Sequence, residues 1–225
     1  MMHQRKGKKI LIYIFILIFV GSINNSALPK IEFENIKNIS ISGLSDEENL
    51  NLLNYIQNLN LKSIFLIDKN EISKIINSNN LVEKYEITKK YPHSLDIKIT
   101  KTNFLAKISS NGKIYLVGSN GKLSDIKFSD KELPYIFGKP EINEFLKFID
   151  IIYQSKFSLN EIENLYFFPS KRWDLELKNK IILRLSKNLT QFSLDEVFEI
   201  LNDKNFNYIK TVDARIKNQI ILNDY

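Results

Sequence analysis

The chain contains no cysteine and only two histidines among its 225 residues. Without cysteine it has neither a disulfide framework nor a thiol nucleophile. His3 lies near the N-terminus and His93 follows Pro92 in a predicted turn, so metal sites and histidine-based catalysis are nearly excluded. The carboxylates are scattered over predicted helix starts and strand faces. The composition therefore predicts that the protein is not an enzyme and that it holds no metal and no cofactor.

Patterns for nucleic-acid recognition are missing as well. The sequence has no glycine-rich phosphate loop, no zinc-finger spacing and no RNP-like segment. The formal net charge is +6 and the isoelectric point is about 9.2, but the cations are mostly lysines diluted through a chain rich in isoleucine and asparagine. We interpret this as a compositional bias with a solvated basic surface, and we expect no nucleic-acid partner.

An apolar run at residues 10–20 follows a cluster of four cations, namely Arg5, Lys6, Lys8 and Lys9. Extended through residue 23, a helix there would be about 21 Å long, against a hydrocarbon core of about 30 Å. That length fits a cleaved secretory signal as well as a permanent anchor, and no strong cleavage pattern follows the run. In both alternatives the N-terminus stays in the cytoplasm and residues 24–225 are exported.

A first structural unit is predicted after a linker at residues 24–30. Ser45 and Glu48 form a capping box for one helix, and Asp68 is the predicted N-cap of a second. Apolar residues predict strands around these helices, one ending at Gly43 and two more at residues 81–91 and 95–100. The order is strand, helix, helix, strand, strand, which indicates a small sheet with two helices on one face.

A second unit is predicted from residue 104. Asn111-Gly112 and Asn120-Gly121 are strong hairpin signals because both residue types tolerate positive φ. Leu133-Pro134 and Gly138 predict a loop, and Trp173 is interpreted as a core anchor. The predicted helices lie at residues 142–153 and 194–201, and the predicted strands after the hairpins lie at residues 165–168, 173–177, 181–185, 208–213 and 218–222.

Several short motifs resemble one family of bacterial cell-division proteins when they are taken together and in order. They are Lys90-Tyr91-Pro92-His93-Ser94-Leu95 with Ile97-Lys98-Ile99, Gly112 with Tyr115-Leu116-Val117, Arg172-Trp173-Asp174-Leu175, and Val212-Asp213-Ala214-Arg215. This combination is similar to the FtsQ/DivIB family, in which a POTRA domain precedes a β-rich C-terminal domain. The family's Asp-Leu-Arg near the end is Asp213-Ala214-Arg215 here, which is a departure from its pattern.

The resemblance implies an α+β protein with a single N-terminal transmembrane helix. Its parts would be a cytoplasmic tail (1–9), the transmembrane helix (10–28), a POTRA domain (31–101) and an FtsQ/DivIB-type β domain (104–225) with two helices, ending on an edge strand. The family keeps its membrane segment, so the resemblance favours the anchor over the signal. It places the protein in the inner membrane at the division septum, as a single-pass type II protein with most of the chain in the periplasm.

The resemblance further implies a scaffold without catalytic activity. Members recruit FtsB-like and FtsL-like proteins through the C-terminal region, and some engage FtsK, FtsW or FtsI through the POTRA and membrane parts. Arg215 could clamp a partner carboxylate or pair internally with Asp213, and the last strand could accept a partner strand. The expected partner-binding residues are Asp213, Arg215, Ile216, Gln219, Ile220, Ile221 and Leu222.

Two other functions compete with the scaffold. A POTRA-containing secretion or outer-membrane assembly component would bind extended polypeptides, but the roughly 120 residues after the first unit are too few and too helical for the membrane domain expected there. An exported hydrolase would need ionisable residues that converge in a cleft.

Overall fold

The computed structural model describes residues 4–22, 35–59, 61, 63–128, 132–203 and 208–224. Helix α1 (Gln4–Ser22) begins within the predicted tail (1–9), and the predicted linker (24–30) lies outside the described residues, as does the end of the predicted transmembrane segment. All residues from 10 to 20 are exposed, with Leu17 the most exposed at 74%. No helix in the described ranges is long and apolar enough to count as a membrane span.

The first unit has the predicted order of elements. It comprises β1 (Asn38–Ser42), α2 (Asp46–Gln57), α3 (Lys69–Ser78), β2 (Val82–Lys90) and β3 (Ser94–Lys101). Strand β3 is central, parallel to β1 and antiparallel to β2. The Ser45–Glu48 capping box and the Asp68 cap are both formed, which confirms the two predicted helix starts.

The core of this unit forms where the helices cover one face of the sheet. Each helix contributes two fully or almost fully buried residues, spaced four apart, and β3 contributes every second residue. These residues are Leu52, Ile56, Ile72, Ile76, Leu95, Ile97 and Ile99.

Gly43 joins β1 to α2 at a point where the backbone touches β3. Its φ is +112°, and an added Cβ would lie 1.8 Å from the carbonyl oxygen of Ile99. Gly43→Ala is therefore expected to lower the free energy of unfolding by about 3 kcal/mol or more, measured by urea denaturation followed by circular dichroism. Gly112→Ala is the matched control, because Gly112 also has a positive φ, +76°, but no atom within 4 Å of the added Cβ. Equal losses for the two variants would contradict the clash.

The second unit is a nine-stranded sheet with two helices. Its strands are β4 (Phe104–Ser110), β5 (Lys113–Gly118), β6 (Leu123–Asp125), β7 (Tyr135–Phe137), β8 (Ile162–Phe167), β9 (Trp173–Leu177), β10 (Ile182–Leu185), β11 (Thr211–Ala214) and β12 (Ile221–Asn223). Helix α4 (Ile142–Gln154) follows β7, and helix α5 (Gln191–Asn202) follows β10. The strand order is β12-β11-β10-β9-β8-β7-β4-β5-β6.

Strand β7 corrects the prediction of a loop around residues 133–140. It is a central strand, parallel to both β4 and β8. The three residues of β7 are too few to show an alternating pattern, and the flanking Pro134 and Gly138 are typical of loops. Pairing with two distant strands, which the local sequence does not reveal, makes this segment a strand.

Both helices of the second unit pack on the same face of its sheet. Phe145, Phe148 and Ile152 of α4 and Leu194 and Val197 of α5 are buried in one cluster with the strands. Trp173 lies in this cluster with 6% exposure, which confirms the prediction that it is a core anchor.

A hydrogen-bond network joins the two units. The Glu83 carboxylate accepts hydrogen bonds from the Thr102 hydroxyl at 2.9 Å and the Ser119 hydroxyl at 2.8 Å. The Asn120 side-chain amide donates to the carbonyl oxygens of Asn80 and Val82, each at 2.9 Å. The second Asn-Gly turn, predicted as a hairpin signal, therefore also fastens the second unit to the first.

Candidate functional site

The C-terminal edge of the sheet is formed by β12, which among the strands of the described residues pairs with β11 only. The pairing is antiparallel, with Val212 opposite Leu222 and Asp213 opposite Ile221. Both strands are shorter than the predicted segments 208–213 and 218–222. Gln219 and Ile220 therefore precede the strand, because a turn bonds the Gln219 amide to the Ile216 carbonyl at 3.2 Å.

The side chains of this edge divide between the core and the surface. Ile220 and Leu222 pack against the hydrophobic cluster, whereas Ile221 is 39% exposed. Ile216, in the connection between the strands, is 57% exposed. Leu222 and Ile221 therefore face opposite sides of the sheet, as successive residues of a strand do. The outer backbone side of β12 faces no other strand within the described ranges.

Asp213 and Arg215 form a forked ion pair. The Arg215 Nε donates to both carboxylate oxygens of Asp213, at 2.8 and 3.0 Å, and Nη2 donates to Oδ2. The Asp213 side chain is 10% exposed, but that of Arg215 is 42% exposed. The internal pair that the sequence left as one alternative is thus present, and much of the guanidinium still faces outward.

The strand register places further charged residues beside this pair. Asp174 of β9 lies opposite Arg184 of β10, and Arg184 lies beside Asp213 of β11. Arg172 donates from Nε to Asp174 at 3.4 Å and lies over the ring of Phe168. We name Arg172, Asp174, Arg184, Asp213 and Arg215 the charged row.

The charged row lies on the sheet face opposite α4 and α5. On the helix face the registered row is apolar and consists of Leu165, Leu175, Leu183, Val212 and Leu222. Because successive residues of a strand point to opposite faces, the neighbouring positions form the charged row. Sequence reasoning missed Arg172, Asp174 and Arg184 as site residues, since only the register of β9, β10 and β11 brings them beside Asp213.

The two carboxylates of the row have opposite pKa shifts. Burial raises the pKa of Asp174, and the nearby guanidinium of Arg172 only partly opposes this effect. Hydrogen bonds from the Arg215 side chain lower the pKa of Asp213. Arg184 also favours the ionised form of both carboxylates, but more weakly than the arginine that is paired with each of them.

A groove of about 430 Å³ adjoins the edge between the start of α5 and the turn before β12. Phe192 on α5 is 78% exposed and faces this groove together with Ile216 and Ile220. Thr190 and Ser193, which cap α5, supply its polar wall. The groove can therefore accept an apolar side chain beside polar groups.

The carboxylates of the described residues do not converge on one centre. No three His, Asp or Glu side chains in that part of the chain come together in a group that could hold a metal ion. The two buried carboxylates of the charged row, Asp174 and Asp213, are each paired with an arginine and lie on a sheet face.

Family models match both units of the chain. The model described as "POTRA domain, FtsQ-type" matches residues 34–101. The model described as "Cell division protein FtsQ/DivIB, C-terminal" matches residues 106–215. The second match ends at Arg215, so the turn and β12 lie beyond it.

Curated relatives carry the name "Cell division protein FtsQ". The protein of Rickettsia typhi is 23% identical over 194 residues, covering 84% of this chain and 73% of the relative. That of Rickettsia bellii is 22% identical, covering 84% of this chain and 72% of the relative. That of Rickettsia felis is 22% identical over 97% of this chain and 87% of the relative.

A solved structure also resembles part of the chain. It is the major extracytoplasmic domain of the cell division protein DivIB from Geobacillus stearothermophilus, with 10% identity and a TM-score of 0.30 over 37% of this chain and 76% of that domain. The order of elements, the two family models and the named relatives all indicate the same family. The chain belongs to the FtsQ/DivIB family of cell division proteins.

Proposed function

We propose that the protein is a non-enzymatic scaffold of the bacterial divisome, which recruits and links other division proteins at the septum. Its POTRA domain (31–101) and β domain (104–225) act as separate docking surfaces. FtsB-like and FtsL-like proteins bind the C-terminal edge, while FtsK-, FtsW- or FtsI-like proteins engage the POTRA and membrane parts. The binding residues at the edge are Asp213, Arg215, Ile216, Gln219, Ile220, Ile221 and Leu222.

The observation that carries this proposal is the open side of β12. An extended partner segment can add a strand there, so that backbone hydrogen bonds supply affinity and side chains supply specificity. Ile221, which is 39% exposed, would contact side chains of that segment that point to the same face of the sheet. The groove next to the strand offers a pocket for one apolar side chain of the partner.

The charge of Arg215 supports the same binding surface at the C-terminal edge. Arg215 keeps an exposed face while Asp213 holds its guanidinium in place. A fork that is already oriented loses less side-chain entropy when it binds a carboxylate. An acidic residue of the partner next to its pairing strand would therefore complement Arg215, and Arg184 and Arg172 extend the positive surface across the sheet face.

Membrane anchoring through α1 is part of the proposal. The helix is apolar on all sides over residues 10–20, and each of these residues is at least 49% exposed. A helix with no polar face is expected in an apolar environment. Thinning of the bilayer and extension of Lys8 and Lys9 towards the headgroups would accommodate its short apolar length. The N-terminus then lies in the cytoplasm of an inner-membrane protein.

The test is binding of residues 30–225 to the periplasmic segment of the FtsB-like protein of the same organism, measured by calorimetry. Wild type is expected to bind with a Kd of about 1 μM or lower, and Arg215→Glu to weaken binding at least about tenfold. Lys98→Glu is the matched control, because it makes the same charge change at an exposed position of the POTRA sheet. It is expected to leave the Kd unchanged.

Two further variants separate the contribution of β12 to binding from that of the Asp213–Arg215 ion pair. Truncation after Arg215 removes β12 and is expected to abolish binding while the POTRA domain stays folded. Asp213→Asn removes the negative partner of Arg215 and tests whether the pair itself serves binding. If Arg215 contacts the partner, this variant retains binding better than Arg215→Glu. If the folded wild type does not bind, the C-terminal edge is not the binding site. That result would favour the alternative function, a POTRA-containing assembly component that binds extended polypeptides.

A further inference from the structure

One end of the POTRA domain carries an exposed aromatic and aliphatic patch. Phe65 is 54% exposed, Leu66 is 71% exposed and Tyr91 is 62% exposed. The rings of Phe65 and Tyr91 lie 5.2 Å apart, so the α2–α3 connector and the β2–β3 turn form one surface. Exposed large apolar groups that are contiguous indicate an interaction site.

Local structure holds this patch outward. Ser63 and Ile64 are buried, and the Leu66 amide donates to the Ser63 carbonyl at 3.0 Å. The tight turn that results leaves Phe65 and Leu66 on its outer side. The conformation of the connector therefore exposes Phe65 and Leu66 on the side opposite Ser63 and Ile64, which are buried.

The chain enters the POTRA domain at this same end. The Lys37 amide, just before β1, donates to the His93 carbonyl in the β2–β3 turn at 2.9 Å. Ser22 ends α1, so at about 3.5 Å per residue the intervening chain can separate α1 from this end by at most about 50 Å. A surface tethered at this distance from a membrane meets it at a high effective concentration.

Cations accompany the aromatic groups. Lys89 of β2 lies opposite Leu95 of β3, which is buried under the helices, so Lys89 lies on the same side of the sheet as the connector. Lys37 is at the chain entry. Aromatic rings with lysines are the combination favoured at the headgroup level of an anionic bilayer.

We propose that Phe65, Leu66 and Tyr91, with Lys89 and Lys37, dock the POTRA domain on the membrane surface. The partner is the headgroup region of an anionic bilayer. Docking would fix the tilt of the joined POTRA and β domains, and hence the height at which β12 meets its partner. The inference rests on the proposed anchoring by α1 and deepens it.

The test uses the full chain in nanodiscs, with one nitroxide label at a time. Because the natural chain has no cysteine, Leu66→Cys, Ile114→Cys and Phe15→Cys each give a single labelling site. Ile114 is a matched control, as it is apolar and 45% exposed in the β4–β5 hairpin of the second unit. The label at Leu66→Cys is expected to show a ratio of oxygen to aqueous nickel collisions at least about threefold above that at Ile114→Cys.

The label at Phe15→Cys separates the two proposals. If the Phe15→Cys label is exposed to lipid but the Leu66→Cys label is exposed to water, docking is overturned and the membrane anchor stands. If the Phe15→Cys label is itself exposed to water, the membrane anchor is overturned. A Leu66→Cys label shielded from both reagents would indicate a protein partner and also overturn docking.

Charge gives a second readout. In nanodiscs with phosphatidylglycerol, Lys89→Ala is expected to reduce the docking equilibrium about fivefold. Lys84→Ala, on the same strand but nearer the junction with the β domain, is its control and is expected to have no effect. Equal effects of the two variants, or no dependence on anionic lipid, would contradict the role of Lys89.

Discussion

Replacing Trp173 by alanine is expected to lower the free energy of unfolding of the β domain by about 3–5 kcal/mol. The indole stacks on Phe148 with ring centroids 4.5 Å apart and contacts Phe167 at 4.8 Å and Phe145 at 6.2 Å. Truncation would leave a cavity between α4 and the sheet, because three aromatic rings cannot all move to fill it. Such packed rings add to the energy of simple burial.

The measurement is urea denaturation followed by circular dichroism, since the variant removes the chain's single tryptophan. Phe192→Ala is the control, because its ring is 78% exposed and its removal is expected to change stability by less than about 0.5 kcal/mol. Loss of Trp173 should also weaken partner binding, since Arg172 and Asp174 flank it in the sequence. Equal stability of the two variants would refute the anchor role.

The second large effect is expected at Arg184, the centre of the charged row. Arg184→Glu places three carboxylates side by side on β9, β10 and β11, of which Asp174 and Asp213 are buried. We expect a loss of roughly 2–4 kcal/mol at pH 7, because the change replaces a cation by a third carboxylate between two buried ones, and like charges on neighbouring strands repel each other. Trp173 fluorescence during urea denaturation reports the unfolding of this domain.

The pH dependence of stability tests whether the loss caused by Arg184→Glu is electrostatic. In the wild type, the lowered pKa of Asp213 contributes stability at neutral pH that is lost as the pH falls through that pKa. The raised pKa of Asp174 acts in the opposite direction, so its penalty is relieved as the pH falls. Arg184→Glu raises the folded-state pKa of all three carboxylates, and its deficit should therefore be smaller at pH 5 than at pH 7.

Arg184→Lys is the control for charge. It keeps the cation and loses only the planar fork, so it is expected to retain most of the stability and its pH profile. A deficit that stays constant between pH 5 and pH 7 would mean that Arg184→Glu acts through packing and not through charge.

Local sequence signals predicted the elements of the POTRA domain well. Ser45, Glu48 and Asp68 act through hydrogen bonds within three residues of themselves, so their neighbours suffice to define the helix starts. The Asn111-Gly112 turn is equally local, since both of its residues adopt positive φ. Trp173 was recognisable as a core residue because large aromatic side chains in alternating strands are usually buried.

Segments whose state depends on distant strands were predicted poorly. Tyr135–Phe137 has the flanking residues of a loop and becomes a strand by pairing with β4 and β8. The last two predicted strands began too early, because Tyr208, Ile209 and Ile220 are apolar but lie outside β11 and β12. Before β12, the Ile216–Gln219 turn ends the extended backbone that the pattern predicts. Periodicity alone cannot reveal where pairing stops.

The sequence by itself determined the family, the order of elements in the POTRA domain and the lack of cysteine chemistry. Only the tertiary structure decided that Arg215 pairs with Asp213, that Arg172, Asp174 and Arg184 join them, and that Phe65 meets Tyr91 at the chain entry. The reason is physical, because capping and turns act over a few residues, whereas strand register and ring contacts join positions far apart in the chain.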